Sequence, residues 1–178
     1  MPSNLKENNI KALFEQNYYG LVELSCRLVG SMETGEDLVQ DVFVKLLDSN
    51  TFIPEDGQRA KSYLYAMVKN ASLSHLRKLK VIHNYGAMNP LTELSDEDIL
   101  ENIIYAESIN QLYASIRNLP QASQNIFNMA YLDEKSNLEV AEFYGISINT
   151  VKTQKRRAMS TIKKILFPVL RSIKVLLF

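Results

Sequence analysis

Lys152, Lys155, Arg156, Arg157, Lys163 and Lys164 all fall between Ile148 and Lys164, with no acid among them. Cations of one sign along a single stretch suit the neutralisation of phosphate on a nucleic acid. Such a row must be held at a fixed angle to be useful, and the preceding residues supply the means. Asn137 to Ala158, NLEVAEFYGISINTVKTQKRRA, reads as a short helix, a tight turn and a second helix that ends strongly basic. Leu138 and Ala141 suit one face of the first helix, and Phe143 or Tyr144 could close it against a core. Gly145 stands where the chain turns sharply, a position favouring a residue tolerant of positive φ. Ser147 is placed to cap the second helix through the amide of Thr150 or its neighbour. A small Ala141, the turn Gly145 and an apolar Val151 let two helices cross closely. This is the helix-turn-helix pattern, whose second helix can lie in a DNA major groove. The alternative is two ordinary packed helices with a solvated basic face. Turn, cap, apolar positions and one-signed charge together favour the DNA-binding arrangement.

The chain has 178 residues, enough for one domain with a real core or two small ones, and its formal net charge is zero. Overall charge therefore does not announce a nucleic-acid binder, and the information lies in its distribution. One cysteine, Cys26, cannot form an internal disulfide and fits a reducing cytoplasm. Its apolar helical neighbours Leu24, Leu28 and Val29 predict a buried, inert thiol. With two histidines besides, His75 and His83, no soft-ligand metal cluster can be assembled. There is no Gly-rich phosphate loop and no nucleophile, base and orienter, so neither enzyme activity, a cofactor nor a small-molecule substrate is expected. The N-terminus, MPSNLKENNIK, lacks the apolar run of a secretory signal. The apolar end from Ile165 to Phe178 is shorter than the about twenty residues that span a bilayer and carries Arg171 and Lys174. It reads either as a helix docking on its own domain or as a partner surface.

Helical spacing runs through the rest. Ile10, Leu13, Phe14, Leu21, Leu24 and Leu28 predict an amphipathic helix over roughly residues 6 to 30, closed by Gly30. Val39, Val42, Phe43 and Leu46 form the stripe of a second helix, whose outer face carries Glu33, Glu36, Asp37, Asp41 and Asp48 against Lys45 alone. Pro54 and Gly57 mark a loop over residues 49–58. A third helix begins near Arg59 or Lys61 and carries Leu64, Met67, Val68 and Ala71 inward. No acid occurs between Asp56 and Glu93, whereas Arg59, Lys61, Lys69, Arg77, Lys78 and Lys80 do, interleaved with Tyr63, Tyr65 and Asn70. Such a helix suits a nucleic-acid strand whose bases can stack. Tyr63 and Tyr65 read equally well as partly buried core edges. From Val81 to Ile116 there is neither Lys nor Arg, and an acidic linker is expected over 81–108, with a helix starting near Ser95. Leu119-Pro120 opens a further helix packing through Ile126, Phe127, Ala130 and Tyr131. The expected fold is all-α, with two small helical domains, 6–80 and 109–166, joined by the linker and followed by an apolar tail over 167–178. Two basic surfaces about eighty residues apart imply two separate contacts with DNA.

EDLVQDVFVKLL and AKSYLYAMVKNASLSHLRK resemble the second conserved region of bacterial sigma factors of the extracytoplasmic-function class. LPQASQNIF and ISINTVKTQKRRA resemble the fourth region of the same class. The resemblance runs from about residue 10 to 165 in family order, with a short linker and no third domain. It implies a promoter-specificity subunit that binds core RNA polymerase and promoter DNA in the cytoplasm. Asp37, Gln40, Asp41 and Phe43 would contact the clamp helices of the largest catalytic subunit. The 49–58 loop and third helix would meet the minus-ten element, with Tyr63, Asn70, Arg77 and Lys78 as candidates and the linker threading toward the polymerase's active-site and RNA-exit channels. The recognition helix would read the minus-thirty-five element through Asn149, Lys152, Thr153 and Arg156, leaving Thr150 and Arg157 for phosphate. An anti-sigma factor, often membrane-anchored, is the further implied partner. The chain departs from the family pattern at Ser74, where an acid is usual, at Gln124, where an arginine is common, and at Lys155, where many members carry an apolar residue. The competing function is a conventional helix-turn-helix repressor or activator with a dimerisation or sensing domain in residues 1–80.

Overall fold

The computed structural model describes the backbone over residues 3–48, 53–84 and 95–176, and side chains over 7–48, 53–81 and 95–167. The described residues contain seven α-helices and no strand. Their order is α1 Ser3–Val29, α2 Met32–Asp48, α3 Gly57–Asn84, α4 Asp96–Arg117, α5 Gln121–Tyr131, α6 Asn137–Tyr144 and α7 Ile148–Leu176. They fall into two compact units, 1–110 and 111–178, with the division inside α4. The first four residues of the expected 49–58 loop, the linker residues 85–94 and the side chains of the tail beyond Phe167 lie outside the described residues.

In the first unit, Gly30 ends α1 with a φ of 75°, and the Ser31 hydroxyl accepts the Thr34 amide at 3.3 Å to open α2. The two helices are thereby antiparallel neighbours, and α3 packs across them. The stripes expected from spacing meet here: Leu21 and Leu24 of α1, Val39 and Leu46 of α2, and Leu64 and Val68 of α3 are fully buried or nearly so. Burying each such side chain contributes about 1.5–3 kcal/mol against exposure. Ser25 and Ser72, the polar pair inside this core, satisfy each other at 2.9 Å, and Ser72 also donates to the Val68 carbonyl.

Residues 96–110 of α4 belong to this unit. Ser95 and Asp98 form a reciprocal cap, with the Ser95 amide donating to Asp98 at 2.9 Å and the Asp98 amide to the Ser95 hydroxyl at 3.1 Å. Ile99, Ile103 and the fully buried Ala106 pack on the same core. Gly20 permits that approach: a Cβ there would lie 2.7 Å from Asn110 Cβ and 3.0 Å from the Ala106 carbonyl. Arg27 donates to Asn102 at 2.6 Å and stacks over Tyr105 at 4.2 Å, while Lys61 pairs with Glu107. The helix expected from Ser95 is present. Its residues 96–108, however, are not free linker but packed structure, because Ile99, Ile103 and Ala106 recur at helical spacing and have a core to meet. Likewise the basic α3 reaches Asn84, past residue 80. Cys26 is half-buried rather than sealed, its thiol 3.7 Å from the Met32 carbonyl, and burial pushes that thiol up.

The second unit contains two small clusters. Ile116, Leu119, Phe127, Ala158 and Ile162 form one, and Ile126, Val140, Ala141 and Val151 the other. Adjacent residues of α5, Ile126 and Phe127, serve both.

Candidate nucleic-acid interface

The turn between α6 and α7 is built by local chemistry. Ser136 caps α6 in a reciprocal box with Glu139, and Gly145 closes it in the left-handed region at φ 63°. The Ser147 hydroxyl then accepts the Thr150 amide at 3.0 Å to start α7, as its position in the sequence suggested. These caps set the register of the eight-residue α6, and Val140 and Ala141 point inward. Leu138 and Phe143, expected on the packed side, are instead 54% and 70% exposed, and Tyr144 is also exposed. The inward side of so short a helix holds only two adjacent buried residues, and the Leu138–Phe143 face lies opposite.

On α7, Val151, Ala158 and Ile162 recur on the buried side. Asn149, Lys152, Thr153 and Arg156, spaced i, i+3, i+4 and i+7, share the opposite face. Three of them are exposed and Thr153 is half-buried. Lys152 and Arg156, with Lys155, also border an open groove of about 780 Å³ that Tyr131, Asn137, Met159 and Phe167 line as well and that carries Lys163 and Lys164. Thr150 and Arg157, i and i+7, are exposed on an adjacent face, where Arg157 borders a different recess with Pro120 and Ser123. The six candidates thus lie on two adjacent faces of α7, four on one and two on the other.

On α3, Asn70, Arg77 and Lys78 are exposed, with Asn70 and Arg77 two turns apart on one face. Tyr63 lies on the same line but is half-buried against the first unit's core, so only part of its ring can meet a base. Tyr65 is 6% exposed, and burial together with the nearby Glu107 carboxylate pushes its phenol far above the ordinary value. It belongs to the core, not to a stacking surface. Lys61 is half-buried in its pair with Glu107.

On α2, Asp37, Gln40 and Asp41 are exposed on one face. Phe43 is not with them: it is 6% exposed and meets Phe14 edge-on at 4.3 Å. Its position in the Val39–Leu46 stripe already pointed inward, and it cannot face a partner while α2 stays packed. The apolar residues that do accompany the acids are Val44 and Leu47, 54% and 47% exposed. Their signal was available as the complement of the buried stripe. No group of three or more His, Cys, Asp or Glu side chains suited to a metal occurs among the described residues, and no described helix is long and apolar enough to cross a membrane.

Comparison with known proteins joins these surfaces. The family described as Sigma-70 region 2 matches residues 13–81, and the family described as Sigma-70, region 4 matches residues 109–162. The ECF RNA polymerase sigma factor SigW of Bacillus subtilis (strain 168) is 24% identical over 154 residues, covering 81% of this chain and 81% of that protein. The RNA polymerase sigma factor YlaC of the same organism is 24% identical, covering 88% and 91%. Its ECF RNA polymerase sigma factor SigX is 22% identical, covering 89% and 84%. A conventional regulator would carry a sensing or dimerisation domain where the region 2 match lies, so that alternative is not favoured.

Proposed function

The chain belongs to the extracytoplasmic-function class of the sigma-70 family and acts in transcription initiation, and from that premise we propose how its surfaces divide the work. The exposed α2 face, Asp37, Gln40 and Asp41 with Val44 and Leu47 in place of Phe43, docks on a basic, partly apolar surface of core RNA polymerase. Asn70, Arg77 and Lys78 of α3, with the exposed edge of Tyr63, meet the minus-ten element, where an unstacked base costs a few kcal/mol that contacts must offset. Asn149, Lys152, Thr153 and Arg156 read base edges of the upstream element, and Thr150 and Arg157 hold phosphate. The chain supplies specificity and no catalysis. An anti-sigma polypeptide covering the α2 and α7 faces keeps it inactive in the cytoplasm.

The observation carrying this reading is the opposite charge of two exposed helix faces. The outer face of α2 is acidic around an apolar strip, whereas α7 has cations and no acid. Polymerase and DNA are the two surfaces such a pair separates. Run-off transcription with purified core polymerase, with and without this protein, tests it. The protein is expected to confer promoter-dependent initiation on core. Tight DNA binding by the protein alone, with no gain in initiation, contradicts it.

A further inference from the structure

Lys155 is the one cation in the first half of α7 that does not face outward. It follows the buried Val151 by one turn and lies close to the register of the buried Ala158 and Ile162. Its stem is half-buried, and its ammonium emerges among protein groups. Nζ donates to Asn137 Oδ1 at 3.0 Å and sits 4.6 Å from the centroid of the Tyr131 ring. Tyr131 is the last residue of α5 and Asn137 the first of α6, so one ammonium on α7 joins the end of one supporting helix to the start of the next. The Tyr131 ring is itself anchored, 4.7 Å from the buried Phe127. One residue earlier on α7, Gln154 accepts from the Ser123 hydroxyl at 2.7 Å, in the first turn of α5. Adjacent residues of α7 are thus pinned to opposite ends of α5.

We propose that Lys155 is a positioning residue for promoter recognition, fixing the angle of α7 against α5 and α6 through Tyr131 and Asn137. This rests on the reading of α7 as the helix that enters DNA. Lys155 borders the same open groove as Lys152 and Arg156, but a cation held over a ring and donating to an amide keeps fewer donors for phosphate. Lys155 therefore contributes to discrimination through the angle of α7 more than to the electrostatic count of the complex, in contrast to Arg157. An apolar residue could fill the stem's place but could not reach Asn137. An arginine could do both, since guanidinium stacks on aromatic rings and donates in a fork.

The test uses holoenzyme assembled from this chain and core polymerase, with a promoter fragment selected by that holoenzyme from randomised DNA. Affinity is measured across salt concentrations for this fragment and for one with its upstream element scrambled. Lys155→Met is expected to lower affinity for the selected fragment about fivefold at every salt concentration, with discrimination falling by the same factor. The salt slope stays unchanged, and Lys155→Arg restores affinity to within about twofold. Arg157→Ala, by contrast, reduces the salt slope by about one. A slope change of about one for Lys155→Met would make it a phosphate contact and overturn the proposal. So would unchanged affinity and discrimination. Should Lys155→Met melt below the assay temperature, Asn137→Ala removes the acceptor instead and must give the same slope-neutral loss, its absence overturning the proposal. If Lys152→Ala and Arg156→Ala also leave binding unchanged, the reading of α7 itself fails. If those two weaken binding and Lys155→Met does not, only the positioning role fails.

Discussion

The two basic helices, α3 and α7, look alike in composition and differ in what they present. On α7 the buried side is apolar at Val151, Ala158 and Ile162, so Asn149, Lys152 and Arg156 are left to solvent. On α3 the helix must also close a larger core and receive α4. Tyr65 is drawn into that core, Tyr63 is half-drawn, and Lys61 is taken by Glu107. Cations counted along a helix are therefore not the same as cations offered to a partner. A helix packed on one side keeps most of its charge for a ligand, while a helix packed by several neighbours uses part of it internally.

The sharpest way to break this contrast is at the aromatic pair on α3. Tyr65→Ala is expected to cost the first unit about 3–5 kcal/mol, by analogy with other large aromatic deletions from cores. Tyr63→Ala should cost clearly less, because its ring is only half-buried. Denaturant unfolding of the two variants checks this, and equal costs would mean that the aromatics are not divided between core and surface. Next in size is Arg156→Ala on α7, expected to lose about 1–3 kcal/mol of discrimination at one promoter position. Binding to fragments altered at single positions measures it, and a loss spread evenly over all fragments would place Arg156 on phosphate instead.

Smaller again is the contrast between Lys78 and Lys61. Lys78→Ala should reduce the salt slope of promoter binding by about one, whereas Lys61→Ala should leave it unchanged because that ammonium is already paired with Glu107. Equal slopes for both would remove the distinction drawn for α3. The smallest effect concerns the cap on which the α6–α7 turn is built. Hydrogen bonding from Ser136 holds the Glu139 carboxyl below its ordinary range. A depressed folded-state value gives stability that is present above the unfolded value and is lost as pH falls through the folded one. Thermal melts in the acid range should therefore fall more steeply with pH for the native protein than for Glu139→Gln.

Much of this arrangement could be read from spacing. The stripes of α1, α2 and α3, the caps at Ser147 and Gly145, and the outward row on α7 all follow from residue type at helical intervals. What could not be read was competition for the same residue. Phe43 fits both an acidic docking helix and the Val39–Leu46 stripe, and the core took it because Phe14 lies edge-on against it. The acidic run after Val81 resembled a linker by charge, yet Ile99, Ile103 and Ala106 fold its second half onto the first unit. Leu138 and Phe143 of α6 were placed by caps at both ends rather than by their hydrophobicity. Each departure arose where tertiary neighbours, absent from any local window, decided between two locally acceptable positions.

On the proposed reading, this chain offers two separate surfaces to one promoter, one on each unit. Photo-crosslinkers placed at Asn70 and at Arg156, each in holoenzyme on the same selected promoter, test it most directly. The account predicts that position 70 labels DNA in the downstream, melted element and position 156 labels the upstream element, with neither label exchanged. Labelling of the same element from both positions, or of polymerase rather than DNA from position 156, would contradict it.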